Sequence, residues 1–294
     1  MNKQIKPSEL IINRDGSIYH LHLRPEEIPG TIILVGDPGR VAEVSKHFSP
    51  VTLQKQNREY ITHSGYYKQK NLMVISSGIG TGNIDIVLNE LDALVNIDFK
   101  TRTILNETKS LNLVRLGTTG AIQPGIRPGT VLITYKAIGF DGLLNYYHRR
   151  NEISDLDFEK AFISFVEWNP LLPVPYVVDA DPLLYSKLKG SHIHAVSISA
   201  PGFYGPQSRI LRIPPQDKTL NDRIGMFEYH GLKITNFEME CSGIYGLSKL
   251  MNHKAVTLCT VIANRATQEF LNDYTKPVEN MILTTLESLS TQPA

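Results

Sequence analysis

The chain has only two cysteines, Cys241 and Cys259, among its 294 residues. They are too few for a disulfide framework and stand in no metal-ligand spacing, so both read as small buried residues. Net charge is equally scarce. Thirty basic and 29 acidic side chains leave a formal charge of +1, which gives no global field to attract nucleic acid or an anionic membrane. Any anion bound here must be caught by local geometry. Long hydrophobic runs are missing too: runs such as Thr31–Val35 are strand-sized and far short of a membrane span. The opening segment MNKQIKPSELIINRDG lacks the apolar centre of a signal peptide. No internal repeat, low-complexity tract or long linker divides the chain, so one domain over residues 1–294 is expected. Together these absences suggest a cytoplasmic protein with no membrane, nucleic-acid or metal partner, and they name no function.

What is present is an alternation of strand and helix patterns. Hydrophobic residues make up 41% and charged residues 20% of the chain, ordinary values for a globular protein. Nearly continuous Val/Ile/Leu runs mark strand candidates at Thr31–Val35, Leu72–Ser76, Leu113–Leu116, Val131–Thr134, Ile193–Ile198 and Ala255–Ile262. Helical patterns fall between them, near Pro38–Phe48, Asn83–Ile97, Pro182–Lys187, Glu240–Met251 and Pro277–Leu289. Such alternation predicts an α/β fold, a three-layer α/β/α sandwich around a mixed, largely parallel sheet. In such folds ligands sit where strand C-termini give way to loops.

The chemically informative residues cluster at those places. After Thr31–Val35 comes Gly36-Asp37-Pro38-Gly39-Arg40. Asp37 is expected to cap a helix that starts at Pro38, leaving free N–H groups to favour an anion, with Arg40 in the first turn. Arg40 stands at the unfavourable end of that helix dipole, a cost that a bound anion would remove. The same four-residue punctuation also occurs as a plain capped turn. Ser76-Ser-Gly-Ile-Gly-Thr-Gly82 follows the second strand candidate, and its G-x-G-x-G spacing departs from the dinucleotide fingerprint. Arg115 lies inside the apolar strand Leu113–Leu116, just before Gly117-Thr-Thr-Gly120. A buried arginine aimed at a hydroxyl-and-glycine turn suits an oxyanion clamp; the alternative is an arginine paired structurally on an edge strand.

These motifs, in this order, resemble the nucleoside phosphorylase superfamily: Gly36-Asp-Pro-Gly-Arg40, Ser77-Gly-Ile-Gly80 and Arg115-Leu-Gly-Thr-Thr-Gly-Ala-Ile-Gln123. Phe237-Glu-Met-Glu240, Val261-Ile-Ala-Asn-Arg265 and Phe203-Tyr-Gly-Pro-Gln207-Ser-Arg209 are similar to the uridine phosphorylase branch in particular. The resemblance spans roughly residues 17–135 and 197–270. It implies phosphate held by Gly36, Arg40, Arg115 and Thr118. Arg58 would reach the phosphate of a neighbouring subunit, and His20 would cross the same interface to the ribose 5′-hydroxyl. Met239 and Glu240 would bind ribose, a carboxylate being able to accept from both vicinal hydroxyls. Phe203, Gln207, Arg209 and Arg265 would surround the base, with Arg115, Glu240, Gln207 and Arg209 carrying catalysis.

The implied activity is phosphorolysis of uridine or another pyrimidine nucleoside, with inorganic phosphate as co-substrate and no cofactor. The implied assembly is a homodimer or a hexamer built as a trimer of dimers, with sites shared across the dimer interface. Each residue also has a plainer role open to it. His20 and Arg58 suit a surface, Glu238 and Glu240 a helix N-terminus, and Phe203 loop packing. Asn83 stands where the family often carries a small hydroxyl residue beside an interfacial monovalent cation, so no such cation is expected. Residues 98–112 read as an inserted loop or an extended helix, and 139–188 has no confident alignment. The alternatives are a purine nucleoside phosphorylase, a nucleosidase or a non-catalytic nucleoside-binding protein. Ala263-Asn264-Arg265 lacks the aspartate of the purine branch, and three retained arginines argue against a hydrolase.

Overall fold

The computed structural model describes residues 4–291. Eleven strands form one mixed sheet: β1 Thr31–Val35, β2 Val51–Asn57, β3 Tyr60–Tyr67, β4 Lys70–Ser76, β5 Asn112–Ala121, β6 Val131–Gly139, β7 Tyr176–Asp179, β8 Ile193–Ser199, β9 Asn236–Glu238, β10 Lys254–Asn264 and β11 Glu269–Phe270. The helices are α1 Gly39–Ser45, α2 Thr81–Asn96, α3 Arg150–Ile153, α4 Leu156–Phe165, α5 Pro182–Leu188, α6 Leu220–Met226, α7 Cys241–Leu250 and α8 Thr275–Ser290. β1 is buried at all five positions, as its unbroken apolar run requires of a central parallel strand. Among the described residues no helix is long and apolar enough to cross a membrane.

The sheet order is β11-β10-β6-β8-β9-β5-β1-β4-β3-β2, with β7 on β6 and an extra pairing of β10 with β5. Parallel pairings hold the centre, and the antiparallel β2–β3–β4 run forms one edge. Because β5 pairs along its length with β10, strands β5, β10, β6, β8 and β9 close into a ring. On its other side β5 has two partners in turn. β1 accompanies it from Asn112 to Leu116, and β9 joins it at Gly120 and Ala121. Between them, residues 117–119 face an opening in the sheet, and the site is built around it.

The structure departs from the expected elements in several places. β2 and β3 form a hairpin whose β2 strand is largely exposed, so a search for continuous apolar runs passes over it. α1 starts at Gly39, with Pro38 at the cap in helical geometry. Asp37 accepts the Gly39 N–H at 2.8 Å, the bond expected of a capping side chain, so one donor expected to face an anion is already occupied. Residues 98–112 do not extend α2. That helix ends at Asn96, and Ile97–Asp98 pairs with Thr103–Ile104 in a short hairpin. The unaligned stretch 139–188 holds β7, α3, α4 and α5, whose aromatics Phe158 and Phe162 join Phe140, Phe227 and Phe237 in a second core cluster.

Candidate active site

A cleft of about 1180 Å³ opens at the strand ends. It is lined by ten of the twelve residues singled out in the sequence: Gly36, Arg40, Arg115, Thr118, Phe203, Gln207, Arg209, Met239, Glu240 and Arg265. Topology explains the gathering, since β1, β4, β5, β9 and β10 all deliver their ends or end-loops to the same opening.

At one pole stand Gly36, Arg40 and Thr118. Arg40 is 7% exposed, yet its guanidinium reaches only the Leu116 carbonyl at 3.5 Å and Glu43 at 3.8 Å. Its Nε, the atom that faces Glu43, has no hydrogen-bond partner among the described residues. A buried guanidinium this poorly satisfied keeps donors that an anion could take up.

Arg115 lies deeper and is tied to two carboxylates. Its Nη2 donates to Glu240, while Nη1 lies 3.3 Å from Glu238 and donates to the Cys259 sulfur at 3.1 Å. The guanidinium folds back over its own strand, which glycine at 117 permits: a Cβ there would sit 2.4 Å from Nη1. Burial works against the charge of Arg115, but Glu240, Cys259 and Glu238 hold it ionised well above the usual arginine range. The pairing expected as the alternative is present, though on a central strand and not an edge, and Arg115 lines the cleft with Nη1 and Nη2 facing glutamates.

Glu238 is the hub of this cluster. Its side chain is fully buried, and one oxygen accepts the backbone N–H groups of Glu240 and Cys241 at 2.8 and 2.9 Å. The other accepts the Ser199 hydroxyl. A carboxylate at the mouth of α7 meets the positive end of that helix, so Glu238 does complement the dipole. Glu240 does something else. One oxygen takes the Gly80 N–H at 2.7 Å and the other faces Arg115. Burial pushes its carboxyl above the ordinary range, with Arg115 pulling against the shift and Glu238 adding to it.

The opposite pole is a guanidinium–amide cluster. Arg209 stacks 3.8 Å over the Phe203 ring and donates to the Phe203 carbonyl at 2.8 Å and to the Gln207 side-chain oxygen. Arg265 donates to the Gln207 backbone carbonyl at 2.6 Å. With its amide oxygen engaged by Arg209, Gln207 keeps its NH₂ and the oxygen's second lone pair for a ligand. Burial, and then the nearby Arg209 charge, lower the pKa of Arg265 to about 10; burial also lowers that of Arg209. Neither arginine is paired with a carboxylate among the described residues. Their uncompensated charge calls for an electron-rich ligand edge.

His20 and Arg58 lie outside the cleft. His20 Nδ1 contacts Glu90 at 2.6 Å, and the exposed Arg58 sits 5.5 Å from the Tyr19 ring at a left-handed φ of 53°. Glu59 and Asn83 line the rim beside them, and Asn83 lies against Gly78. Sequence reasoning missed Glu238 and Cys259 as partners of Arg115, and it missed the outer wall formed by Gln268, Glu269, Phe270 and Tyr274. The spacing Glu238-x-Glu240 after a strand was the one signal available for the first of these. Nothing in the sequence pointed to the others.

The chain belongs to the phosphorylase superfamily, whose family model matches residues 31–289. It is 31% identical over 261 residues to the uridine phosphorylase of Thermococcus kodakarensis, covering 87% of this chain and 80% of the relative. To the uridine phosphorylase of Haemophilus influenzae it is 27% identical over 268 residues, 88% of this chain and 90% of the relative. Among solved structures it is similar to a Trypanosoma brucei nucleoside phosphorylase with uridine phosphorylase activity. The TM-score is 0.83 at 26% identity, over 95% of this chain and 99% of that one.

Proposed function

We propose that the protein is a pentosyltransferase that cleaves uridine with inorganic phosphate, yielding uracil and ribose 1-phosphate. The observation that carries this is the order of groups along one cleft: under-satisfied Arg40 beside Leu116, Gln207 with Arg209 and Arg265 beside Gly120 further along the same strand, and Met239 and Glu240 lining the cleft with them. Those groups match phosphate, base and ribose in turn. Attack by a phosphate oxygen on the anomeric carbon as the glycosidic bond breaks needs neither metal nor covalent intermediate. What it needs is in-line positioning, worth about 7–11 kcal/mol, and donors for charge growing on the leaving uracil. Arg209, Arg265 and the Gln207 NH₂ suit the second task. Glu240 and the bound phosphate suit the positive sugar.

Purine protonation finds no support at Asn264. Its Nδ2 donates to the Gln123 and Ile126 carbonyls at 2.8 and 2.7 Å, and its oxygen accepts from Ala266. The same proposal places the enzyme in the cytoplasm, as at least a dimer whose partner supplies His20 and Arg58. Support for the assembly is that neither side chain lines the chain's own cleft, although Glu59, next to Arg58 in the chain, does. The deciding experiment incubates purified protein with uridine, thymidine, deoxyuridine, inosine or adenosine, with and without phosphate. Uridine cleavage only in phosphate is expected; equal cleavage without it would eliminate phosphorolysis.

A further inference from the structure

We infer that Arg115 couples the two substrates, so that an anion in the phosphate site releases Glu240 for ribose. This rests on the phosphorolysis proposed above, and it concerns how the same site is loaded. Without ligands, one guanidinium faces two carboxylates: Nη2 donates to Glu240, and Nη1 lies 3.3 Å from Glu238. The attachment of Nη1 is independent of Glu240, because Glu238 and the Cys259 sulfur at 3.1 Å both hold it. Glu240 is likewise anchored without Arg115, its second oxygen taking the Gly80 N–H at 2.7 Å. The Nη2–Glu240 contact is therefore the joint that can part while both residues keep their places. Arg115 Nε is buried without a hydrogen-bond partner among the described residues, and Arg40 Nε has nothing closer than Glu43 at 3.8 Å, so both guanidiniums keep a donor for anion oxygens.

The contact sits between the two poles of the cleft. While it is closed, the Glu240 oxygen that should accept ribose hydroxyls is occupied by Arg115. A dianion beside Arg40 and Thr118 offers Nη2 a competing acceptor and leaves that oxygen open. Uridine then binds without having to break a buried ion pair. Because binding linkage is reciprocal, uridine must tighten the anion by the same factor.

The test is calorimetric titration of uridine into the wild-type enzyme in phosphate-free buffer, with sulfate as an unreactive dianion and chloride matching the ionic strength. Saturating sulfate should tighten uridine by about tenfold, within the range of a single coupling step, and uridine should tighten sulfate equally. In Glu240→Gln, whose amide forms no ion pair, that enhancement should shrink to about twofold or less. Two results would overturn the inference: unchanged or weaker uridine binding in sulfate, or full coupling in Glu240→Gln. Phosphorolysis with a uridine affinity indifferent to sulfate would remove this inference alone. An enzyme that fails to cleave uridine in phosphate would remove the parent proposal with it.

Discussion

Replacing Gly117 by alanine puts one carbon atom where Arg115 folds back across its own strand. The new Cβ would stand 2.4 Å from Nη1, 2.8 Å from Cζ and 3.0 Å from Nη2, where ordinary contact is 3.4–4 Å. The guanidinium must retreat by about 1 Å, a displacement that costs on the order of 10²-fold in rate for a positioning group. That is about 2.7 kcal/mol of transition-state stabilisation. A free arginine would swing aside at little cost, but this one is held by Glu238 and Glu240 in a site where all three side chains are 5% exposed or less. The fold should survive, at the usual overpacking penalty of about 1–3 kcal/mol. The assay pairs kcat/KM for uridine phosphorolysis with a thermal melt, and Gly125→Ala serves as control because nothing lies within 4 Å of its added Cβ. Activity in Gly117→Ala within about threefold of wild type would refute the account of why glycine stands there. So would a loss that merely follows unfolding.

Two further predictions concern the poles of the cleft. Arg209→Ala removes the stack on Phe203 and the contact with the Gln207 oxygen; kcat/KM for uridine should fall about 10²-fold with little change in the KM for phosphate, and unchanged uridine kinetics would take Arg209 out of the site. Arg40→Ala and Arg58→Ala should each be impaired alone, yet when co-expressed they should recover about a quarter of wild-type activity, because random pairing leaves one intact shared site in half the dimers. Activity no higher than the mean of the parents would place Arg58 outside any shared site.

Much of this architecture could be read from residue patterns, for physical reasons that differ by element. Thr31–Val35 was legible because a strand buried on both faces is apolar throughout. The β2–β3 hairpin was not, since exposed β2 carries the polar run Gln54-Lys55-Gln56. Ten of the twelve candidate residues meet in one cleft because strand-end loops converge by topology, which motif order tracks well. The partners of Arg115 were hidden because they come from strands β9 and β10, over a hundred residues further along the chain. Chain distance gives no warning of such contacts. Asp37 was legible as a cap because its side chain accepts the N–H two residues on; only the helix start differs, by the single residue Pro38.

The double partnership of Asn112–Ala121 has a consequence for how the site can move. From Asn112 to Leu116 its amides lie between β10 and β1, so there they can exchange with solvent only when the sheet opens as a whole. The anchor of Arg115 therefore belongs to the last part of the molecule to unfold. Substrate entry and product release must fall to the outer wall, where Phe203, Tyr204 and Phe270 are about half exposed or more. The strands hold the chemistry in place, and the loops set its tempo.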